Sequence, residues 1–317
     1  MNTELSGKIF VAGHRGMVGS ALCRRLADSD CQILTADRRE LDLCDSAAVS
    51  DFFATHRPDS VIFAAAKVGG IVANNTYPVE FLSQNVIMSI AAINAAFQSG
   101  VKRFLFLGST CIYPRNCPQP IREESLLTGP LEPTNEAYAL AKISGLKLCE
   151  YYRRQHGVMF HSAMPTNLYG PGDNYHPEHS HVLPALIRRF HEAKMESLPS
   201  VTIWGTGSPR REFLFVDDLA DALVHLCTQA DPPSWVNVGT GIDQTILELA
   251  HMVARTVGYE GEILTDASRP DGTPVKCTDV SLLHSTGWNH KVALADGLAK
   301  TYQCFLTETG AGNLRSV

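Results

Sequence analysis

Lys8-Ile9-Phe10-Val11-Ala12-Gly13-His14-Arg15-Gly16-Met17-Val18-Gly19 is the stretch that decides how this chain folds. Lys8 to Ala12 reads as a short apolar strand, and a helix running through Ala21, Leu22 and Leu26 follows at once. Between them the spacing is Gly-x-x-Gly-x-x-Gly. Glycines there permit a tight turn and let backbone amides and the positive end of the helix approach a pyrophosphate. Further strands are predicted at Gln32 to Thr35, Ser60 to Ala66 and Arg103 to Ser109, with helical stretches between them. Strand and helix in alternation imply parallel βαβ units, and the glycine loop in the first unit implies dinucleotide binding.

With 317 residues, 44% of them hydrophobic, the chain can bury a sizeable core, as one large domain or as a main domain with a smaller appendage. Strict alternation fades after Gly170. The predicted class is therefore α/β, with a Rossmann-type doubly wound parallel sheet over residues 1–170. A smaller C-terminal α/β substrate domain follows over 171–317, with some segments returning to the first. Val236-Asn237-Val238-Gly239-Thr240-Gly241 reads as a strand and turn that set the small domain against the sheet, its glycines serving either structure or function.

A net charge of −6 without a basic block argues against a nucleic-acid partner. Met1 to Ser6 has neither a basic region nor a long apolar stretch, so neither a leader nor a membrane span is expected, and a cytoplasmic location fits. Nine cysteines without Cys-x-x-Cys pairs argue against a disulfide framework and a structural zinc site. His176 and His179 near His181 suggest metal ligation, but no matching carboxylate or cysteine cluster accompanies them, and no metal is expected.

Cofactor choice is read after the second strand, where an acid commonly holds the ribose 2′-hydroxyl and an arginine accommodates a 2′-phosphate. Both are present. Asp37 is followed by Arg38 and Arg39, and Arg15 lies inside the glycine loop, so two segments can bring cations to one phosphate. NADP is favoured over NAD. The alternative is that Arg38 and Arg39 are solvated turn residues and that Asp37 serves the ribose.

Tyr138-Ala139-Leu140-Ala141-Lys142 places a phenol and an ammonium about one helical turn apart, on the same face. A nearby ammonium is expected to lower the tyrosine pKa, and the Ser109 hydroxyl can hold a substrate oxygen beside it. Together these groups can donate a proton to a carbonyl under reduction.

The chain resembles the extended short-chain dehydrogenase/reductase family, and within it the branch of bifunctional GDP-4-keto-6-deoxy-D-mannose 3,5-epimerase/4-reductases. The resemblance covers nearly the whole chain. It is carried by Ala12 to Ser20, Ala64 to Ile71, Leu107 to Pro114, Pro165 to Pro171 and Arg211-Glu212-Phe213, and the branch by Cys111 and the run Asn174 to His181. It implies a reductase triad of Ser109, Tyr138 and Lys142, in which Tyr138 protonates O4 while NADPH delivers hydride to C4. It implies Cys111 and His181 as the acid/base pair that inverts C3 and C5. These carbons flank a ketone, so their protons are acidified by enolate formation, and a thiol titrates near enough to neutrality to be tuned by a cation.

Cofactor contacts implied by the resemblance are Gly13, His14, Arg15, Gly16, Met17, Val18, Gly19, Arg38, Leu107, Gly108, Lys142, Pro165, Asn167, Leu168 and His181. Substrate contacts are Arg189, Trp204, Arg211, Asp271 and Lys276. A GDP pyrophosphate rewards bidentate arginine contacts, which suits Arg211, whereas Trp204 serves equally as core packing. Met164-Pro165 stands where many wider relatives place an arginine. A dehydratase would carry Asp-Glu where this chain has Thr110-Cys111. A simple 4-epimerase has no use for Cys111 with His181, and a non-catalytic NADP-binding sensor has no need of the triad.

Val79 to Ser99 has apolar residues at Phe81, Leu82, Val86, Ile90, Ile93 and Phe97, broadened by Ile87 and Met88. With the helix from Tyr138 to Tyr152, this face suits a homodimer built as a four-helix bundle, the arrangement implied by the resemblance. Burial within one subunit would produce the same pattern.

Overall fold

A computed structural model of the chain describes residues 5–269 and 271–315. Met1 to Glu4, part of the stretch read for a leader, lie outside the described residues. The first half runs β1 (Gly7–Ala12), α1 (Met17–Leu26), β2 (Cys31–Leu34), α2 (Ser46–His56), β3 (Ser60–Phe63), α3 (Ile71–Thr76), α4 (Pro78–Gln98), β4 (Arg103–Leu107), α5 (Glu136–His156) and β5 (Met159–Pro165). The second half runs β6 (Asn167–Tyr169), α6 (Val182–Met195), β7 (Ser200–Trp204), β8 (Arg210–Phe215), α7 (Val216–Thr228), β9 (Trp235–Val238), β10 (Asp243–Thr245), α8 (Ile246–Val257), β11 (Glu262–Asp266), β12 (Val275–Lys276), α9 (Ser281–Ser285) and α10 (Leu294–Gly310).

Six strands form one parallel sheet in the order β2-β1-β3-β4-β5-β9. The order reverses between β1 and β3, and in open α/β sheets ligands bind outside the carboxyl ends of the strands at such a point. The period-2 alternation of a strand explains the two cores. Ile9 and Val11 of β1 pack with Leu22 of α1 and Leu219 and Leu223 of α7, while Phe10 packs with Phe53 of α2 and Ala92 and Ile93 of α4.

β3 and β4 stop at Phe63 and Leu107, short of the expected Ala66 and Ser109. After Phe63 only Ala64 still donates to the neighbouring strand, at Ala12 O (3.0 Å), and the backbone then leaves the sheet beneath Gly13. Trp235–Val238 is not a connector between units. It is the sixth strand of the main sheet, in register with Ser162–Pro165 of β5. The chain thus returns to the first sheet through α7 and β9. β7 and β11 form a separate two-stranded parallel sheet, while β8 pairs with β10 and β12 along its first half and with β6 along its second. Phe213, Phe215, Phe190, Leu249, Val253 and Phe305 fill the core beneath it.

By length and composition alone α4 could cross a membrane, a test that the core helix of a globular protein also passes. Its packing explains the composition: Phe81, Ala91, Ala92, Ile93, Ala95 and Ala96 are buried against the sheet and its neighbouring helices.

Asp173, in the loop after β6, is 4% exposed. Its Oδ1 accepts the Asn174 N–H at 2.7 Å, and Oδ2 has no hydrogen-bond partner among the described residues. Burial pushes this carboxyl up to about 7, opposed by the Asn174 N–H and by Arg315. A carboxyl raised in the fold contributes stability below its unfolded pKa, near 4, and loses it as pH rises through about 7. Asp173→Asn should therefore flatten the decline in Tm between pH 5 and pH 8. At pH 8 it should raise Tm by about 2–8 °C, as follows for a buried charge costing a few kcal/mol. Thermal melts of both proteins across this range are the test, and parallel Tm curves would rule the assignment out.

Candidate active site

At the switch point the backbone is packed too closely for side chains. Gly13 has φ +84°, and a Cβ there would lie 2.8 Å from the Ala65 nitrogen. A Cβ at Gly19 would lie 2.1 Å from Gly13 O. Gly16 caps α1 without a side-chain hydrogen bond, and the first turn carries no acid, so the amides at this helix start remain available to an anion. His14, Met17 and Val18 are half-buried around the turn. The cradle therefore fits a dinucleotide pyrophosphate.

Beyond β2, Arg15 pairs with Asp37 at 2.8 Å with its own side chain 73% exposed. Asp37 also accepts the N–H groups of Arg39 (2.7 Å) and Glu40 (3.2 Å), and these contacts and the two arginines hold its carboxyl below its ordinary value. This acid thus anchors a turn and a guanidinium. Arg38 is exposed and makes no ion pair among the described residues.

β4 ends at Leu107, and the next residues form the floor of the site. A Cβ at Gly108 would lie 2.2 Å from the Met164 sulfur, so a larger residue here would require the Met164 side chain to move. Ser109 caps a short 3-10 turn at Thr110–Ile112, its Oγ accepting the Cys111 N–H at 3.3 Å. Lys142, 3% exposed on α5, donates from Nζ to Leu107 O at 2.7 Å and lies 5.6 Å from the Tyr138 ring centroid.

The expected sign of the tyrosine shift is overturned. Burial, and secondarily the Cys111 thiol, push the Tyr138 phenol above its ordinary value. Desolvation also lowers the Lys142 ammonium to about 8. The cost of desolvating a phenolate beside this packed protein exceeds the help of an ammonium already bonded to a carbonyl. Tyr138 therefore stands as a phenol, the form that can donate.

Cys111 is 8% exposed, and burial raises its thiol against the opposing pull of Lys276, Ser109 and Lys142. His181 precedes α6. Its side chain is exposed, yet protein on several sides desolvates it enough to lower its pKa, with Lys276 adding to the effect. The loop leading to His181 is tied to the loop after β3, since Gly70 N–H donates to His179 O at 3.0 Å. Lys276 lies in β12 opposite Arg211 of β8, and burial lowers both cations. The segment after Lys276 is stitched to the loop beyond Cys111: Ile121 N–H donates to Cys277 O and Asp279 N–H to Ile121 O, both at 2.8 Å.

The other candidate substrate residues form a path leading away from Lys276. Arg211 Nη1 donates to Thr273 O at 2.6 Å, and a Cβ at Gly272 would lie 3.0 Å from its Nη2. Asp271 accepts Thr206 N–H (2.9 Å) and Thr206 Oγ1 (2.8 Å), holding the turn after Trp204. Trp204 is 63% exposed with the Arg269 guanidinium 5.1 Å over its ring, which excludes the core-packing reading. Arg189 of α6 reaches β7 through Thr202 O at 3.0 Å. Pro165 ends β5, and Asn167 Nδ2 donates to Glu212 O at 2.8 Å, leading into half-buried Leu168.

Two residues have no role assigned from the sequence: Asn85, and Glu212 within the Arg211-Glu212-Phe213 segment. Asn85, 2% exposed in the apolar stripe of α4, holds both Lys67 N–H (2.8 Å) and Lys67 O (3.0 Å), pinning the loop after β3. A lone amide inside a hydrophobic stripe was the available signal. Glu212 is fully buried, and its carboxylate accepts the N–H groups of Thr240, Gly241 and Thr278. Nothing local distinguishes it from a strand carboxylate facing water. Among the described residues no three His, Cys, Asp or Glu side chains group as metal ligands. The His176 and His179 rings stack at 4.4 Å, and His176 Nδ1 accepts the N–H of Glu178 and of His179.

Residues 9–239 match the model of the NAD dependent epimerase/dehydratase family. The chain is 55% identical over 309 residues to GDP-L-fucose synthase of Escherichia coli K12, covering 94% of this chain and 96% of the relative. Among solved structures, a GDP-6-OMe-4-keto-L-xylo-heptose reductase from C. jejuni superposes with a TM-score of 0.90 at 35% identity, over 97% of this chain and 100% of that one. A GDP-L-fucose synthetase from Naegleria fowleri bound to NADP gives 0.90 at 26% identity, over 99% of both chains. The glycine cradle at the switch point of a parallel sheet and the match across 9–239 lead to one conclusion: the chain belongs to the NAD dependent epimerase/dehydratase family.

Proposed function

We propose that this chain converts GDP-4-keto-6-deoxy-D-mannose to GDP-L-fucose, epimerising C3 and C5 and reducing C4 with NADPH. The observation that carries the reading is the grouping of Cys111 with Ser109, through the Cys111 N–H on Ser109 Oγ, beside Lys142 on Leu107 O and against the Tyr138 ring. Lys142 and Lys276 both pull on the Cys111 thiol, and Lys276 acts on His181. This proximity of charge supports the reading in which the groups assigned to epimerisation and to reduction act on one sugar. The name of the Escherichia coli relative supports the same substrate and product.

Gly13 to Gly19, with Leu107, Gly108, Lys142, Pro165, Asn167, Leu168 and His181, would hold the cofactor, and Arg15 and Arg38 its 2′-phosphate. NADPH, when bound, supplies the hydride. Arg189, Trp204, Arg211, Asp271 and Lys276 would hold the GDP-sugar, with the Arg211 guanidinium on the pyrophosphate. With a ketone at C4, Cys111 and His181 remove and return protons at C3 and C5, one as base and the other as acid. Ser109 orients O4, and the Tyr138 phenol gives it a proton as the carbonyl is reduced. Lys142, an ammonium below about pH 8, keeps positive charge beside the phenolate that forms. Nine free cysteines suit a reducing compartment, consistent with the cytoplasm.

The exposed faces of α4 and α5 carry Val79, Leu82, Ile87, Ile90, Leu140 and Tyr151, and we assign them to a homodimer closed as a four-helix bundle. Phe81 and Ile93, counted in the same stripe from sequence, face inward. Ile90→Glu should convert a dimeric mass to a monomeric one by light scattering. A monomeric unmutated chain would exclude the dimer.

Arg38→Ala should reduce the preference for NADPH over NADH by about tenfold or more, the value of one charge-assisted hydrogen bond. Steady-state kinetics with both cofactors test it, and equal use by the unmutated protein would remove the NADP assignment.

Tyr138→Phe should lower reduction by roughly 10²–10⁴-fold while C3 and C5 still take up deuterium in D₂O from the keto sugar with NADP⁺. Cys111→Ala should lose that exchange, and any residual reduction should yield an unepimerised 6-deoxy sugar. NMR of the recovered sugars decides. Wild-type exchange rates in Cys111→Ala would return this residue to a structural thiol.

A further inference from the structure

We propose that Glu212 is a positioning residue for sugar-nucleotide binding, its carboxylate clamping together the segments that carry Arg211 and Lys276. The inference rests on the reading of this cleft as a GDP-sugar site. Glu212 is fully buried in β8, next to Arg211. Oε1 accepts Thr240 N–H at 2.6 Å and Gly241 N–H at 2.8 Å, in the turn after β9 of the main sheet. Oε2 accepts Thr278 N–H and Thr278 Oγ1, both at 2.8 Å, two residues beyond Lys276. A Cβ at Gly239 would lie 2.1 Å from Oε1, so the turn closes on the carboxylate only because glycine stands there. One side chain therefore ties β8 to the segment after β12 and to the turn after β9, the edge strand of the parallel sheet, adding to the β8–β12 backbone pairing.

The main chain of the same residue serves the other side of the cleft. Glu212 O accepts Asn167 Nδ2 at 2.8 Å and Thr166 Oγ1 at 3.4 Å, within the segment assigned to the dinucleotide. A side-chain substitution leaves that carbonyl in place. The clamp thus separates two affinities that a loss of general stability would move together.

The test uses the full chain, with GDP alone and NADP⁺ alone as calorimetric probes, followed by kinetics on the keto sugar. In Glu212→Gln an amide NH₂ must face backbone donors, so GDP should bind about tenfold or more weakly, with NADP⁺ affinity within about twofold of the unmutated value. KM for the sugar nucleotide should rise by a similar factor, more than kcat falls. Thr278→Val keeps the shape and removes one donor, and should weaken GDP by about three- to tenfold at a Tm that permits measurement if Glu212→Gln does not fold. GDP affinity within about twofold in Thr278→Val, or parallel loss of GDP and NADP⁺ affinity, overturns this proposal alone. Failure of the unmutated chain to bind GDP overturns the functional reading and this proposal with it.

Discussion

The close approach of three backbone segments at Gly13 is the constraint on which the rest of the molecule depends. The turn leaving β1, the exit of β3 at Ala65 and the first turn of α1 at Gly19 meet with no room for a Cβ at Gly13 or Gly19. This contact lets β3 leave the sheet early and cross beneath the loop, and it holds α1 with its uncapped amides facing the crevice. A side chain at either position would push the helix off the sheet or open the turn, and both changes would dissolve the anion cradle.

Desolvation governs the chemistry beside that cradle. Lys142 and Tyr138 lie one turn apart on α5, but the Lys142 ammonium bonds to Leu107 O instead of serving the phenol directly. Burial then lowers the lysine and raises the tyrosine, so each group favours its neutral form more than it would in water. The same principle acts at Cys111, where burial raises the thiol and Lys276 opposes it. Acid and base strength in this cleft follow the depth of each group and the cation that faces it.

β8 organises the second half as the glycine contact organises the first. Its residues pair on both edges with short strands, and Glu212 reaches from it to the turn after β9 and to Thr278. Lys276 and Arg211 are brought opposite each other by a two-residue strand that local propensity would not reveal. The residues assigned to the substrate are therefore carried by segments more than sixty residues apart, joined by the β8–β12 pairing and by side-chain bonds that include those to the Glu212 carboxylate.

By itself the sequence determined what depends on neighbouring residues: the glycine turn, the strand and helix periods of the first hundred residues, and the Tyr138/Lys142 spacing on one helix. Glycine conformation and side-chain periodicity are local properties, and both can be read from a single chain. Tertiary structure alone decided the membership of β9 in the main sheet, the exposure of Trp204, the engagement of Asp37 by Arg15, and the inward and outward faces of α4. It also reversed the expected direction of the Tyr138 shift and disclosed Glu212 as a buried hub. Each of these depends on which distant groups exclude water or supply donors, and burial is set by the packing of the whole chain, not by the residue that experiences it.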